Sequence, residues 1–500
     1  MKKEQITNII LLLLYCVITL FSVLHHEIWA DEAQVWQLCR NLNIPELINH
    51  LHNEGHPSLF YLLVMPFAKL SSNIIYMQLF CWLAMCFSVY VLLFKSPFNF
   101  LVKLAILSSA GFIYFLPVMA RNYAIIPVLV FLAAYLYSKK RENPILYGVV
   151  LFFLANTHAI MTGFVGILLC MYIYEIIKEK DLRTQKNIGA IYIITIGLLC
   201  VFLQLYNTTS SNEFITYKEK TPYLFTAFKI ILFFFLNAYN KMITINKTIP
   251  FAIIDIPLIL TMITSFVLLL VNLYHNNKKA FLICSIGMGF QFAVYIFVYS
   301  LNQYVTRIFA GLIILIFCFW IVFKENTFDE TNKLFNKKGT TVLISLFFFL
   351  TTYNGINFII KDYKYEYTGG KQTAKFIKEN LKKDSILLIN NEPYMITLTY
   401  YLGNNFKLFS AIRGKDLKYV VWDKITAQKF TTTIWKEHCT QLQTLEKNKD
   451  IYVLISTSEE NQKKEINKLQ NDFPNNFQLI YSSPYTIEVN EGHKIYKFIN

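Results

Sequence analysis

Long apolar runs separated by short polar loops occupy the first 360 residues. A helix needs about 20 apolar residues to cross a bilayer, and by this measure the pattern predicts eleven membrane spans, of which the fifth is short. They are Asn8–Leu24, Ile74–Phe94, Leu101–Met119, Tyr123–Tyr137, Ile145–Ala155, Ile160–Ile177, Ile188–Tyr206, Ile249–Tyr274, Phe281–Tyr299, Ile308–Phe323 and Val342–Ile360. We interpret the first as an uncleaved helix, because it is long for a signal peptide and many spans follow. The shorter stretch Phe228–Asn237 predicts an interfacial or re-entrant helix.

From residue 363 the pattern changes to short apolar strands alternating with helices. Helices are expected at Gln372–Leu381, Pro393–Tyr401, Thr433–Leu445 and Glu459–Leu469, and strands at Ser385–Ile389, Phe406–Phe409, Tyr419–Trp422, Ile451–Ser456, Phe477–Tyr481 and Thr486–Val489. This alternation predicts a small α/β layer domain. The chain therefore divides into a transmembrane domain, residues 1–362, and a water-soluble domain, residues 363–500. Because the second domain lacks a glycine-rich phosphate loop, a nucleotide site there is not expected.

Composition and charge support a membrane protein and give its orientation. Hydrophobic residues make up 55% of the chain, charged residues 16%, and the mean hydropathy is +0.40. The net charge of +15 comes largely from one set of loops, which we place in the cytoplasm because positive charge collects there. These loops contain Lys2, Lys3, Lys95, Lys139, Lys140, Arg141, Lys178, Lys180, Arg183, Lys186, Lys278, Lys279, Lys324, Lys333, Lys337 and Lys338. With eleven spans the soluble domain is then extracytoplasmic. No recognition motif accompanies the charge, so nucleic-acid binding is not expected.

Polar residues at the expected external face are the candidates for function, since charged groups near lipid are costly. The first external loop, residues 25–57, carries Asp31 and Glu32, and later Glu54 and His56. After Asp31 the spacing of Val35, Leu38 and Leu42 predicts an amphipathic helix along the membrane surface, which leaves a simple N-cap as the alternative role for Asp31.

Later turns on the same face carry further candidates. Arg121 lies in the tight turn between the third and fourth spans, and Tyr123 begins the fourth. His158 lies between spans five and six, and Tyr304 and Arg307 lead into the tenth. Taken singly, the histidines are more often structural, and the arginines could simply extend toward the interface. Taken together, these residues place paired carboxylates beside arginines that suit phosphate.

These motifs resemble the GT-C superfamily of polyprenyl-phosphate-sugar-dependent glycosyltransferases, in particular the group of protein O-mannosyltransferases and bacterial lipid A aminoarabinose transferases (family 39 type). The resemblance rests on Trp29-Ala30-Asp31-Glu32, Gly55-His56-Pro57, Ala120-Arg121-Asn122-Tyr123 and the His158 turn, and on many spans followed by an external α/β domain. Ser58 stands where protein mannosyltransferases typically have a second proline, and no β-trefoil module is inserted. The bacterial transferases are therefore the better comparison.

The resemblance implies inverting sugar transfer from a polyprenyl-phosphate donor to a cell-envelope acceptor at the plasma membrane. Asp31 would be the base, with Glu32 orienting the acceptor or sharing that role. Arg121, Arg307 and Tyr123 would bind the donor phosphate. His56, His158 and Tyr304 would contact substrate. A divalent metal held by Glu54 and His56 is a further possibility.

Two other classes of protein remain open on the sequence. A transporter or flippase for a lipid-linked glycan would need ionisable groups within the membrane, for which Asp255, near Pro257, is the candidate. A non-catalytic assembly protein would use the external domain to bind cell-wall partners. Whether Cys39 and Cys439, which lie outside the spans, form a disulfide is also open.

Overall fold

The computed structural model describes residues 2–206, 255–299, 305–389, 391–423, 432–456 and 471–499, together with Phe235, Thr426 and Asn467. In the transmembrane domain its α-helices are α1 Lys2–His25, α2 Ala30–Asn41, α3 Ile44–Glu54, α4 Leu59–Leu70, α5 Ile75–Lys95, α6 Phe100–Ser108, α7 Ile126–Tyr137, α8 Pro144–Ala155, α9 Thr162–Lys178, α10 Gln185–Leu205, α11 Asp255–Asn276, α12 Lys278–Val294, α13 Val305–Glu325 and α14 Lys337–Lys364. The predicted helices at Phe228–Asn237 and Glu459–Leu469, and the side chain of Asp255, lie outside the described residues.

Eight helices in the described part of the chain are long and apolar enough to cross a membrane. They are α1, α5 and α9 to α14, and each matches one predicted span. Three shorter apolar helices, at Leu59–Leu70, Asn122–Tyr137 and Pro144–Ala155, pack among them. The predicted fourth and fifth spans are the second and third of these. The chain is therefore a multi-pass helical membrane protein with a C-terminal sheet domain, and the predicted fold class is confirmed.

The predicted third span is a broken helix. Helix α6 ends at Ser108, the backbone of the next residue, Ser109, is extended, and a π-helical turn follows at Gly111–Phe115. The Thr351 hydroxyl of α14 accepts the Ala110 N–H at 3.1 Å, so a backbone donor freed by the break is paired. A side chain at Gly111 would collide with Phe309, since an added Cβ would lie 2.7 Å from its ring. The prediction of one continuous helix over Leu101–Met119 is therefore wrong.

The soluble domain contains α15 Gly370–Asn380, β1 Ile386–Ile389, α16 Glu392–Leu402, β2 Leu408–Ser410, β3 Lys415–Asp416, α17 Thr432–Leu445, β4 Ile451–Ser456, β5 Phe477–Ser482 and β6 His493–Phe498. The sheet order is β3-β2-β1-β4-β6-β5. Strand β1 is parallel to β2 and β4, while β6 is antiparallel to β4 and β5.

Strand β4 shows how the sheet is shared between two cores. All six of its residues are buried. On one face Tyr452 and Leu454 join the core that extends into the transmembrane domain. On the other face Ile451, Val453 and Ile455 pack with residues of α17 in a smaller core. The two-residue period of a strand therefore directs one face of the sheet to the core shared with the transmembrane domain and the other face to α17.

Two predicted strands are wrong, for different reasons. Tyr419–Trp422 is irregular, because Val420 uses its backbone on the transmembrane domain: its N–H donates to Gln34 Oε1 at 2.9 Å, and its carbonyl accepts from Gln34 Nε2 at 2.8 Å. Thr486–Val489 gives only one bridge, between Thr486 and Glu366, before a short 3₁₀ turn. The last strand is instead His493–Phe498.

Helix α2 is not a surface helix. Its residues from Glu32 to Cys39 are all buried, because the helix lies between α4 and the soluble-domain helix α16. The Gln37 side chain donates to the Thr399 hydroxyl of α16 at 3.0 Å. Cys39 is a buried free thiol, as is Cys439 in the smaller core, so no disulfide joins them. The helix after Asp31, which the sequence predicts to lie along the membrane surface, is thus a buried connection between the two domains.

Candidate active site

The Asp31 carboxylate and the Arg121 guanidinium face each other at the start of α2. Asp31 Oδ2 lies 3.1 Å from Arg121 Nη1, and the same nitrogen donates to the Asp31 carbonyl oxygen at 2.7 Å. The Asp31 side chain is 26% exposed and that of Arg121 only 7%. Burial lowers the pKa of Arg121, but Asp31, followed by Tyr61 and Tyr123, outweighs burial and raises it. The pair therefore combines an accessible carboxylate with a buried cation.

Glu32 holds together the two turns that carry this pair. Its Oε2 accepts the Trp29 N–H at 3.1 Å, and its Oε1 accepts the Ala120 N–H at 2.5 Å. Trp29, not Asp31, is the N-cap of α2, so the alternative role of Asp31 as a simple N-cap is wrong. Both Glu32 oxygens are used on the backbone, and the side chain is fully buried. Glu32 therefore links the two turns from within the protein core.

His56 lies next to Arg121 because α3 ends in a left-handed turn. Gly55 has φ +69°, a conformation that glycine adopts without strain, and the turn directs the chain to His56. His56 Nε2 lies 3.2 Å from Arg121 Nη2. Arginine can only donate, so Nε2 accepts. Burial, then His158 and the guanidinium groups, lower the pKa of His56 well below its usual value. The imidazole is therefore neutral.

His158, Tyr123 and Arg307 continue the arrangement. The rings of His56 and His158 have centroids 4.7 Å apart. His158 Nδ1 accepts the Ile160 N–H at 3.2 Å, which leaves the proton on Nε2 to donate to the Tyr123 hydroxyl oxygen at 3.1 Å. Arg307 Nε donates to the same oxygen at 2.9 Å. Burial, then the two guanidinium groups, lower the pKa of His158 well below its usual value.

Six polar side chains thus form one continuous set of contacts, which we call the polar chain. In order they are Asp31, Arg121, His56, His158, Tyr123 and Arg307. Two guanidinium groups enclose two neutral imidazoles and a hydroxyl, with one carboxylate at the accessible end. An anion is the natural ligand of the cationic part. Tyr304 lies outside the described residues.

The residues around Glu54 do not fit a divalent metal. Glu54 Oε1 accepts hydrogen bonds from Gln34 Nε2 at 2.7 Å and His50 Nε2 at 3.2 Å. His56 Nε2 is used by a guanidinium, which would repel a cation. In the ranges the structure describes, no three His, Cys, Asp or Glu side chains are grouped so as to hold a metal.

Two further residues at the site, Tyr61 and Glu491, were not predicted from the sequence. Tyr61 is 1% exposed, and its hydroxyl has no hydrogen-bond partner among the described residues, although Arg121 and Asp31 are close enough to act on it electrostatically. Its sequence signal is a polar tip inside an apolar helix, one turn after Pro57. Glu491 comes from the soluble domain, and its Oε1 accepts the Ala30 N–H at 3.0 Å. No local pattern marks it.

The membrane helices, the C-terminal sheet domain and the site between them define a multi-pass membrane protein that shares its fold with ArnT. No family model matches the sequence, and no curated protein matches it. Among solved structures the chain is similar to ArnT from Cupriavidus metallidurans in the apo state, with a TM-score of 0.56, 9% identity, and 98% of this chain and 97% of that chain covered. It is equally similar to the same protein bound to undecaprenyl phosphate, with a TM-score of 0.56, 9% identity and 98% of each chain covered. At this identity the likeness shows the fold.

Proposed function

We propose that this protein is a membrane glycosyltransferase that moves a sugar from a polyprenyl-phosphate donor to an acceptor of the cell envelope, outside the cytoplasm and with inversion. The observation that carries the proposal is the polar chain, in which the accessible Asp31 carboxylate contacts the buried Arg121 guanidinium, and His56, His158 and Tyr123 connect Arg121 to the buried Arg307. The shared fold adds support, since one of the similar structures is of ArnT bound to undecaprenyl phosphate.

In the proposed reaction Asp31 is the base, because it is the accessible member of the polar chain. The acceptor oxygen attacks the anomeric carbon of the sugar and passes its proton to the Asp31 carboxylate. The bond from that carbon to the phosphate oxygen breaks, and the electron pair leaves with the lipid phosphate. Attack from the face opposite the leaving group inverts the anomeric centre.

Arg121 and Arg307 stabilise the departing phosphate. Both are almost fully buried, at 6% and 8% exposed, so their charge acts in a medium that screens it weakly. His56 and His158 are neutral and therefore separate the two cations without adding a third and a fourth charge. The Tyr123 oxygen accepts from His158 and Arg307, which leaves its own O–H to donate to a phosphate oxygen. No step requires a metal ion.

The direct test is to incubate the purified full-length protein with a panel of undecaprenyl-phosphate sugars and candidate acceptors. Release of free undecaprenyl phosphate is scored with and without a chelator. We expect release with at least one donor, slower release in Arg121→Ala at a donor concentration below the wild-type KM, and no effect of the chelator. Asp416→Asn, which changes a carboxylate of the edge strand β3, is the matched control. Absence of release with every donor from a monodisperse, folded sample would overturn the proposal.

A further inference from the structure

A second polar cluster lies directly behind the polar chain and is not used in the proposed reaction. It consists of His26, Glu32, Asp362 and Tyr114. His26 and Glu32 flank the start of α2, Tyr114 belongs to the π-helical turn of the broken span, and Asp362 lies in the last turn of α14. Three segments distant in sequence therefore meet at one buried imidazole.

His26 stands between two carboxylates. Its Nδ1 lies 2.8 Å from Asp362 Oδ2, and its Nε2 lies 3.7 Å from Glu32 Oε2. The Tyr114 hydroxyl donates to the same Asp362 oxygen at 2.8 Å, and the Tyr367 ring packs edge-on against the imidazole with centroids 4.5 Å apart. The side chains of His26 and Glu32 are both fully buried.

This geometry favours a charged imidazole. A neutral histidine carries one N–H, which would donate to Asp362 from Nδ1 and leave the Nε2 lone pair facing Glu32 Oε2 at 3.7 Å. Burial lowers the pKa of His26, but Asp362 and then Glu32 outweigh it and raise the pKa to about 10. The charge is therefore present across the neutral range.

The cluster reaches the reacting groups through Glu32. The same carboxylate that faces His26 accepts the N–H groups of Trp29 and Ala120, whose turns carry the two members of the Asp31–Arg121 pair. A shift of Glu32 would therefore move both turns. Asp362 in turn fixes His26 to the helix that leads into the soluble domain.

We infer that His26 is a positioning residue of the proposed transferase: as an imidazolium between Glu32 and Asp362, it sets the distance between Asp31 and Arg121. The inference rests on the proposed function and adds to it a residue that touches neither substrate nor metal. It also gives the soluble domain a part in catalysis, because the connection from Asp362 leads directly into that domain.

The test compares transfer by His26→Gln, by the double variant with His26→Gln and Asp362→Asn, and by His25→Gln in the intact protein. His25 is the matched control, because it is the neighbouring histidine and is exposed. We expect kcat of His26→Gln to fall roughly 100-fold, the scale of a 1 Å misplacement of reacting groups, with a smaller change in the donor KM. His25→Gln should stay within about twofold.

The double variant separates positioning from a general loss of structure. Removing the Asp362 charge relieves the uncompensated anion that His26→Gln leaves, so the double variant should be several-fold more active than His26→Gln. It also supplies a charge-balanced sample if the single variant does not fold. Wild-type kcat in His26→Gln, or a double variant less active than a folded single variant, would overturn the inference. Wild-type protein that transfers no sugar at all would overturn the inference and the proposed function together.

Discussion

Replacing Asp31 by asparagine removes a charge and a proton acceptor while keeping shape, so it isolates the chemistry from the fold. The backbone hydrogen bond from Arg121 Nη1 to the Asp31 carbonyl, at 2.7 Å, does not depend on the side chain and remains. The side-chain ion pair of 3.1 Å is lost, but its carboxylate is 26% exposed. Arg121, at 7% exposed, loses this counter-charge but keeps its hydrogen bonds to the Asp31 carbonyl and His56, so the free energy of unfolding should fall by about 1–3 kcal/mol.

The expected effect on transfer is much larger. A positioned general base contributes roughly 10²- to 10⁴-fold to the rate, which corresponds to about 2.7–5.4 kcal/mol of transition-state stabilisation. Single-turnover release of lipid phosphate measures the chemical step directly, and thermal unfolding of the same sample measures stability. Asp416→Asn controls for loss of a carboxylate elsewhere. Turnover of Asp31→Asn at the wild-type rate would refute the assignment of the base.

Four further outcomes follow from the same contacts. Arg121→Ala should raise the donor KM at least tenfold, since charge-assisted hydrogen bonds contribute about 1.5–3 kcal/mol each; an unchanged donor titration contradicts the phosphate role. Tyr61→Phe should leave thermal stability unchanged but weaken substrate binding about five- to tenfold, and wild-type kinetics would exclude substrate contact. Gln34→Ala breaks both hydrogen bonds to Val420 and should increase protease cleavage of the soluble domain; an unchanged cleavage rate argues against docking through this residue. Burial and then the neighbouring Glu366 carboxylate raise the pKa of Glu27 from 4.5 to about 8. Between these pH values the folded state binds more protons than the unfolded state, so the free energy of unfolding falls as pH rises from 4.5 to 8. Thermal unfolding of Glu27→Gln should therefore depend less steeply on pH, and an unaltered slope contradicts this.

The membrane helices were predictable because lipid imposes a strong constraint on each segment separately. Eight of the eleven predicted spans are long helices in the described residues. The break at Ser109 was not predictable, because it depends on the Thr351 hydroxyl, 241 residues beyond its partner Ala110. Hydropathy is evaluated for each segment separately, so it cannot identify such a distant partner.

The candidate site was likewise predictable only in part. The chemistry of Asp31, Arg121 and Arg307 was visible in the sequence, and the structure brings these residues into one set of contacts. The place of Glu32 was not visible, because its oxygens serve backbone groups of two separate turns. Glu491 was missed because only the docking of the soluble domain brings it to the start of α2.

The last membrane helix has a consequence for biogenesis, because it supplies both the hydroxyl at the break in the third span and the carboxylate beside His26. The ribosome releases the third span more than two hundred residues before it makes Thr351. Until that helix is in place, the Ala110 amide at the break lacks its Thr351 partner, and His26 has only one of its two carboxylates, Glu32. The two contacts can therefore form only after the last described membrane helix has been made, and a chain terminated before Thr351 would lack both of them.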